Sequence, residues 1–391
     1  MNGVVNLSLK QQSQVGEIAF IDLKAQQARI RERIEKRLTA VLDHGRYIAG
    51  PEIEEFETLL AEKTGAKAAV ACASGTAALI VPLLAYGLGA GDAVFLPAFT
   101  YNATANAVLI TGATPVFVDI DPETFNMDPK DLEHRLQAVK AAGKLRPRAL
   151  MPVDLFGLPA DYPAFAKIAA RENMHLLADG AQGFGGQLND RWVGNLAPAT
   201  AMSFFPGKAL GAYGDAGAIL TQDADDVECW ESIRWHGTDD VRKNSVRVGF
   251  NGRMDSFQAG VLLEKLSIAD DELEARRHVA NYYNERMSLV GRPQANIDGA
   301  QSGYNYYSLC VSDREKVAAF LKEKGVPTAV YYSMPLHKMP AFEKYAPNDG
   351  LKVTEQVSDE ILSLPMHPYL SAIQMEYICD CVEAAVKANR A

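Results

Sequence analysis

One lysine, Lys208, stands between an apolar run and a cluster of glycines in SFFPGKALGAYGDAGAIL, with no other charge before Asp215. An amine in apolar surroundings loses hydration, its pKa falls, and it condenses readily with an aldehyde. A solvated loop lysine would need no such setting. Three other short runs carry groups that could serve the same chemistry. In ASGTAAL, Ser74, Gly75 and Thr76 follow an apolar run and open a helical one. A helix start offers free N–H groups to a phosphate, although Ser74 could equally be a plain N-cap. LLADGAQ ends an apolar run on Asp179, a carboxylate that could cap a turn or hold a protonated ring nitrogen. FTYNAT presents Tyr101, whose face could stack on a flat ring or pack as an ordinary aromatic.

Singly, each group has an everyday structural reading. Together, a phosphate cup, a ring stacker, an acid for a pyridinium nitrogen and an aldehyde-capturing lysine are what pyridoxal 5'-phosphate requires. Two rival motifs fail. A P-loop would need a glycine where Met202 stands and Ser or Thr where Ala209 follows the lysine. GAYGDAG and GFGG do not supply the G-x-G-x-x-G of a dinucleotide site.

The elements that must position these groups follow from hydrophobic periodicity. From about residue 66, strand-like runs (AKAAVACAS, AVFLPAF, TPVFVDI, PRALMPVDLF, MHLLADGA, ATAMSFFP) alternate with helical ones. The helical ones are GTAALIVPLLAYGLG, TANAVLITG, PKDLEHRLQAVKAA and DYPAFAKIAAREN. Alternation of this kind predicts a mostly parallel α/β sheet flanked by helices, with near-continuous apolar strands covered on both faces. Ligands in such sheets bind at the carboxyl ends of strands. That rule selects Ser74–Thr76, Phe99–Tyr101, Asp154, Asp179–Gln182 and Ser203–Lys208. KAQQARIRERIEKRLTAVLDHG reads as an amphipathic helix on the outside. After about Asp255 come a long helical run (SFQAGVLLEKLSIADDELEARRHVANYYNERM), a strand–helix–strand pattern (YNYYSLCVS, DREKVAAFLKEKG, PTAVYYS) and a closing helix (IQMEYICDCVEAAVKANR). The expected division is an N-terminal helix plus large cofactor-binding α/β domain over 1–255 and a small C-terminal α+β domain over 256–391.

A chain of 391 residues exceeds what one core usually supports. Its net charge of -10 argues against nucleic acid and against an anionic membrane surface, without excluding a locally held anionic ligand. Five scattered cysteines are no disulfide framework, and the Cys379-x-Cys381 pair lacks further ligands for a metal, so no metal is expected. The opening MNGVVNLSLKQQSQ has no signal-peptide pattern and no run is long enough to span a membrane, so a cytoplasmic protein is expected.

The order of these blocks resembles the DegT/DnrJ/StrS sugar aminotransferases, which are fold-type-I pyridoxal phosphate enzymes. YIAGPEIEEFE, SGTAAL, PAFTYNAT, VDIDPETFNMD, LADGAQGFG, SFFPGKALGAYGDAGAI, VGFNGRMDSFQAGVL, YYSMPLH and LSLPMHPYL carry the resemblance, from about Phe20 to the C-terminus. It implies that Lys208 captures the cofactor aldehyde, Asp179 pairs with the ring nitrogen, Gln182 bonds near the ring hydroxyl and Tyr101 stacks on the ring. Gly75, Thr76 and Ser203 would hold the phosphate. Asn251 would reach the phosphate of a neighbouring subunit, so that active sites are shared in a homodimer. Arg253 and His337 would border the sugar pocket, with a structural role for His337 equally open, and the loop at Tyr47 would shape it. Gly207 stands where Ser or Thr is common, and Ala178 and Gly180 where Glu and Ala are common.

The resemblance further implies transfer of an amine from glutamate to a nucleotide-linked keto-sugar. FIDLKAQQARIRERI and HGRYIAGPE look most like enzymes that aminate the 3-keto group of a UDP-N-acetyl-hexuronic acid, for surface polysaccharides such as lipopolysaccharide. A 4-keto-6-deoxy sugar is the rival substrate. A sugar dehydratase of the same family lacks the lysine, and a silent sugar-nucleotide binding protein would have lost Lys208 or Asp179; both residues are present.

Overall fold

The computed structural model describes residues 15–390. The expectation that the first fourteen residues carry no leader lies outside the described residues. The chain opens with α1 (Leu23–His44) and α2 (Pro51–Thr64). The Asp22 side chain accepts the Ala25 N–H at 2.9 Å to start α1, and Gly45 ends it in the left-handed region.

The large sheet is built from β1 (Ala68–Cys72), β2 (Asp92–Pro97), β3 (Thr114–Val118), β4 (Arg146–Leu150), β5 (His175–Asp179), β6 (Ala199–Ser203) and β7 (Gly217–Thr221). Its order is β1-β7-β6-β5-β4-β2-β3. The four pairings from β6 to β3 are parallel, while β7 runs antiparallel to both β1 and β6. The connecting helices are α3 (Gly75–Ala85), α4 (Ala103–Ile110), α5 (Pro129–Ala142) and α6 (Tyr162–Glu172). They bury the sheet on both faces: Leu96, Leu177 and Ile219 lie in one core, and Phe95, Leu150 and Leu176 in another.

Beyond α7 (Asp226–Arg234), the long helical run is two helices, α8 (Ser256–Leu266) and α9 (Ala269–Met287). The break falls where the Ser267 hydroxyl donates to the Glu264 carbonyl at 2.6 Å, competing with the helix ladder. A boundary at 255/256 assigns α8 to the small domain, yet Ala259, Leu262 and Leu263 pack in a core with β7 residues of the large sheet. The other face of α8 receives Ile30 and Ile34 of α1 through Val261.

The small sheet is antiparallel, in the order β8 (Arg292–Pro293), β9 (Tyr307–Cys310) and β10 (Ile361–Leu364). It packs with α9, α10 (Arg314–Glu323) and α11 (Ala372–Arg390) around Tyr283, Leu309, Leu321 and Ile378. PTAVYYS is not a strand. It makes one bridge, Ala329 to Ser363, and then turns away so that Tyr331 and Tyr332 reach the cleft between the sheets; β10 is the third strand instead. The β4 ladder likewise stops at Leu150, two residues before Pro152, and a 3-10 turn over Leu155–Gly157 follows.

Candidate active site

The carboxyl ends of β1, β5 and β6 open onto a cavity of about 430 Å³. That volume lies within the roughly 300–1,000 Å³ of small-molecule sites. Ser74, Gly75, Thr76, Tyr101, Asp179, Gln182, Ser203 and Lys208 all line it.

Ser74 caps α3 by accepting the Ala77 N–H at 3.1 Å. The next amides, of Gly75 and Thr76, stand at the open helix start, which favours an anion. Two glycines set this turn against the sheet. A Cβ on Gly75 would lie 2.6 Å from Ser203 Cβ, and one on Gly217 would lie 2.4 Å from the Ser74 carbonyl carbon. The helix start and the Ser203 hydroxyl therefore share one small space.

Asp179 closes β5 and is 4% exposed. Its Oδ2 accepts from the Thr104 hydroxyl at 2.8 Å and its Oδ1 from the Ala181 N–H at 3.2 Å. Thr104 in turn lies 3.0 Å from the Thr100 hydroxyl. Burial pushes the Asp179 pKa up, and the two hydrogen bonds and the Lys208 charge oppose that rise. Burial depresses the Lys208 amine to about 8, against the pull of Asp179. The lysine is held by a tight turn in which its N–H bonds to the Phe205 carbonyl at 2.8 Å.

Gln182 is oriented at both ends. Its Oε1 accepts the Phe156 N–H at 2.7 Å, and its Nε2 donates to the Tyr332 hydroxyl at 2.9 Å. Tyr101 is 58% exposed, with its ring 6.2 Å from that of Tyr332. Tyr306 and Tyr331, 4.4 Å apart, complete an aromatic wall brought by the small sheet.

A phosphorylated pyridine aldehyde fits this donor set. The helix start, Ser203 and the Cβ-free turn suit the phosphate, buried Asp179 suits a cationic ring nitrogen, and Lys208 is an amine of depressed pKa. Among the described residues, no cluster of His, Cys, Asp and Glu could hold a metal ion.

Four predicted site residues lie elsewhere in the chain. Asn251 is exposed and bridges to Trp235, while the adjacent Gly252 carbonyl accepts the Ala73 N–H at 2.8 Å. Arg253 places its guanidinium 4.5 Å from the Trp235 ring centre. A larger hollow of about 740 Å³ opens beside Trp235, lined by Arg242 and Arg247, and contains no lysine. Tyr47 stacks on Phe257 at 5.7 Å. His337 is 5% exposed, with Nε2 3.0 Å from Glu355 Oε1.

Sequence reading missed Thr104, Tyr306, Tyr331 and Tyr332. Two threonines four apart across the start of α4, Thr100 ahead of it and Thr104 in its first turn, were the one available sign. The tyrosines gave no comparable sign, because the small sheet delivers them.

The DegT/DnrJ/EryC1/StrS aminotransferase family matches residues 28–383. The UDP-2-acetamido-2-deoxy-3-oxo-D-glucuronate aminotransferase of Pseudomonas aeruginosa is 43% identical over 364 residues, covering 93% of this chain and 98% of that one. A crystal structure of a DegT DnrJ EryC1 StrS aminotransferase from Brucella abortus superposes with a TM-score of 0.92 at 43% identity, covering 94% and 98% of the two chains. The structure of ntda from Bacillus subtilis with bound cofactor PMP gives a TM-score of 0.84 at 29% identity, over 94% of this chain and 83% of that one.

Proposed function

We propose, from the premise that the chain belongs to the DegT/DnrJ/EryC1/StrS aminotransferase family, that it moves an amino group from L-glutamate to UDP-2-acetamido-3-keto-hexuronic acid. Membership makes it a sugar aminotransferase that uses pyridoxal phosphate. The convergence of Lys208, Asp179 and the α3 start on one cavity carries the assignment of the site. The substrate reading is supported by the Pseudomonas aeruginosa relative, whose name specifies a 3-oxo glucuronate on UDP.

Pyridoxal phosphate supplies an aldehyde that amines capture and a ring that accepts electrons from a carbon losing its proton. The chain's own residues do the rest. The α3 amides, Ser74, Thr76 and Ser203 would hold the phosphate. Asp179, held by Thr104, would pair with the ring nitrogen and favour its protonated form. Lys208, depressed to about 8, has a substantial neutral fraction near neutral pH and can accept a proton from carbon and return it. Gln182, fixed at both ends, offers a polar edge to the ring substituents. The three tyrosines exclude water on the small-sheet side.

Asn251 lies outside its own chain's cavity and is exposed, which supports a homodimer in which it completes the partner's site. Among the described residues no helix is long and apolar enough to cross a membrane. We place the enzyme in the cytoplasm, making amino-sugar for surface polysaccharide, including lipopolysaccharide.

The test is borohydride reduction of the cofactor-loaded protein, followed by peptide mass mapping and an assay of keto-sugar nucleotides with glutamate. The expected result is a label on Lys208 and a mass gain for amination of the 3-keto uronic acid. Full turnover by Lys208→Ala would refute the assignment.

A further inference from the structure

The turn that carries Lys208 is fastened by a residue far away in sequence. Local backbone bonds close most of it: Lys208 N–H to Phe205 O at 2.8 Å, and Ala212 N–H to Phe204 O at 2.8 Å. The N–H of Ala209, the residue immediately after the lysine, goes instead to Asn305 Oδ1 at 2.9 Å. Ala209 is 8% exposed and Asn305 is 1% exposed, so water is not a ready substitute. A buried N–H stripped of its acceptor is costly.

Asn305 sits on the segment between β8 and β9, two residues before β9 begins. Its backbone is clamped there. Gly303 N–H bonds to Gly157 O at 2.9 Å, and Tyr306 N–H bonds to Phe156 O at 3.2 Å. The guanidinium of buried Arg276 donates to Tyr304 O at 3.2 Å. The approach is close enough that a Cβ on Gly157 would lie 2.7 Å from Tyr304 N and 2.9 Å from Asn305 N. The clamp aims one side of the segment, through Asn305, at the lysine turn. The next residue, Tyr306, lines the cavity. Phe156, whose carbonyl accepts from Tyr306, donates its own N–H to Gln182.

We propose that Asn305 is a positioning residue, whose carboxamide fixes the backbone of the Lys208 turn and ties the amine to the segment that leads into β9. The carboxamide thereby sets the spacing between the lysine turn and the Tyr306 wall. The proposal rests on the reading of Lys208 as the cofactor-capturing amine.

The experiment compares the full-length parent, Asn305→Ala and Asn305→Asp, without cofactor. Two quantities are read: amide hydrogen exchange across residues 204–212, and the pH midpoint for modification of Lys208 by trinitrobenzenesulfonate, mapped by peptide mass. In Asn305→Ala, exchange at Ala209 should quicken by about tenfold or more while α11 keeps its protection. The Lys208 midpoint should climb from about 8 toward the ordinary lysine range as water reaches the amine, with Asp179 and Asp215 still facing the same cavity. Asn305→Asp keeps an acceptor and should restore protection at Ala209. Unmoved exchange and an unmoved midpoint in Asn305→Ala would overturn the proposal. So would faster exchange spread over the whole chain with no rescue by Asn305→Asp. Failure of the underlying Lys208 reading shows separately, as a borohydride-treated, cofactor-loaded parent with no label on Lys208.

Discussion

The Thr104 hydroxyl, in the first turn of α4, donates to Asp179 Oδ2 at 2.8 Å and holds the carboxylate that closes β5. Burial alone would leave Asp179 protonated too readily; this bond and the Lys208 charge oppose that. Thr104→Val removes the donor at nearly constant volume. A hydrogen bond to a charged group contributes about 1.5–3 kcal/mol, so affinity for pyridoxal phosphate should fall roughly 10- to 100-fold. Titration of cofactor-free protein by absorbance measures it, with Thr104→Ser as the variant that keeps the hydroxyl. An unchanged dissociation constant in Thr104→Val would show that Asp179 needs no such support.

Asp154 lies directly behind this carboxylate and is fully buried. Its Oδ1 accepts from Ala160 N–H at 2.9 Å and from the Tyr162 hydroxyl at 2.7 Å, while Oδ2 has no partner among the described residues. Burial raises its pKa to about 7, with the nearby Asp179 charge adding to the rise. The folded chain therefore holds a proton that the unfolded chain has released above about pH 4. Stability must fall as pH climbs from about 4 to about 7, then level off, by up to about 4 kcal/mol from this group. Asp154→Asn keeps the acceptor and abolishes the titration. Denaturant melts of the cofactor-free proteins should show parent and variant diverging across that window, with the variant the more stable at pH 8. Parallel curves from pH 4 to 8 would exclude the effect.

The parts of the fold that were legible in the sequence share a property: their residues act through their own local run. Asp179 ends a strand of apolar residues, and Ser74 caps the helix it begins, so neighbours alone locate both. What escaped depends on partners far along the chain. GAIL, within β7, follows the glycine cluster and is named as no element from sequence, yet it inserts antiparallel between β1 and β6. Tyr331 and Tyr332 fit a strand pattern, but their rings are drawn into the cleft beside Phe99 and Tyr306. Asn251, Arg253 and Tyr47 fell in motifs of the site and lie outside the cavity of their own chain.

Gly217 lets the turn that opens α3 lie against β7 without lining the cavity itself. A Cβ there would meet the Ser74 carbonyl carbon and oxygen at 2.4 Å and the Gly75 nitrogen at 2.8 Å, all backbone atoms. Gly217→Ala must therefore displace the helix start from Ser203. Loss of one or two charge-assisted hydrogen bonds to phosphate should weaken cofactor binding on the order of 10- to 100-fold. Gly207 is the control. A Cβ at that position first meets Ile21 Cδ1 at 3.4 Å, so Gly207→Ser should bind the cofactor nearly as the parent does. Equal affinity in Gly217→Ala, or a comparable loss in Gly207→Ser, would contradict this account of the turn.

Asn251 and Lys208 do not line the same cavity within one chain. The amine lines the cavity, while Asn251 is exposed on a segment whose Gly252 carbonyl is pinned to Ala73 N–H. Val246 and Val248, 57% and 79% exposed, precede it on the same outward segment. If Asn251 serves the partner's cavity, Lys208→Ala and Asn251→Ala damage different halves of a shared site. A mixed dimer then has one site with both lesions and one with neither. Random exchange makes half the dimers mixed, so two inactive variants should recover about a quarter of parental activity when unfolded together and refolded. Mixing without subunit exchange should recover nothing. Should refolded mixtures stay inactive while size measurements show mixed dimers, Asn251 acts within its own chain or not at all, and the shared-site reading is lost.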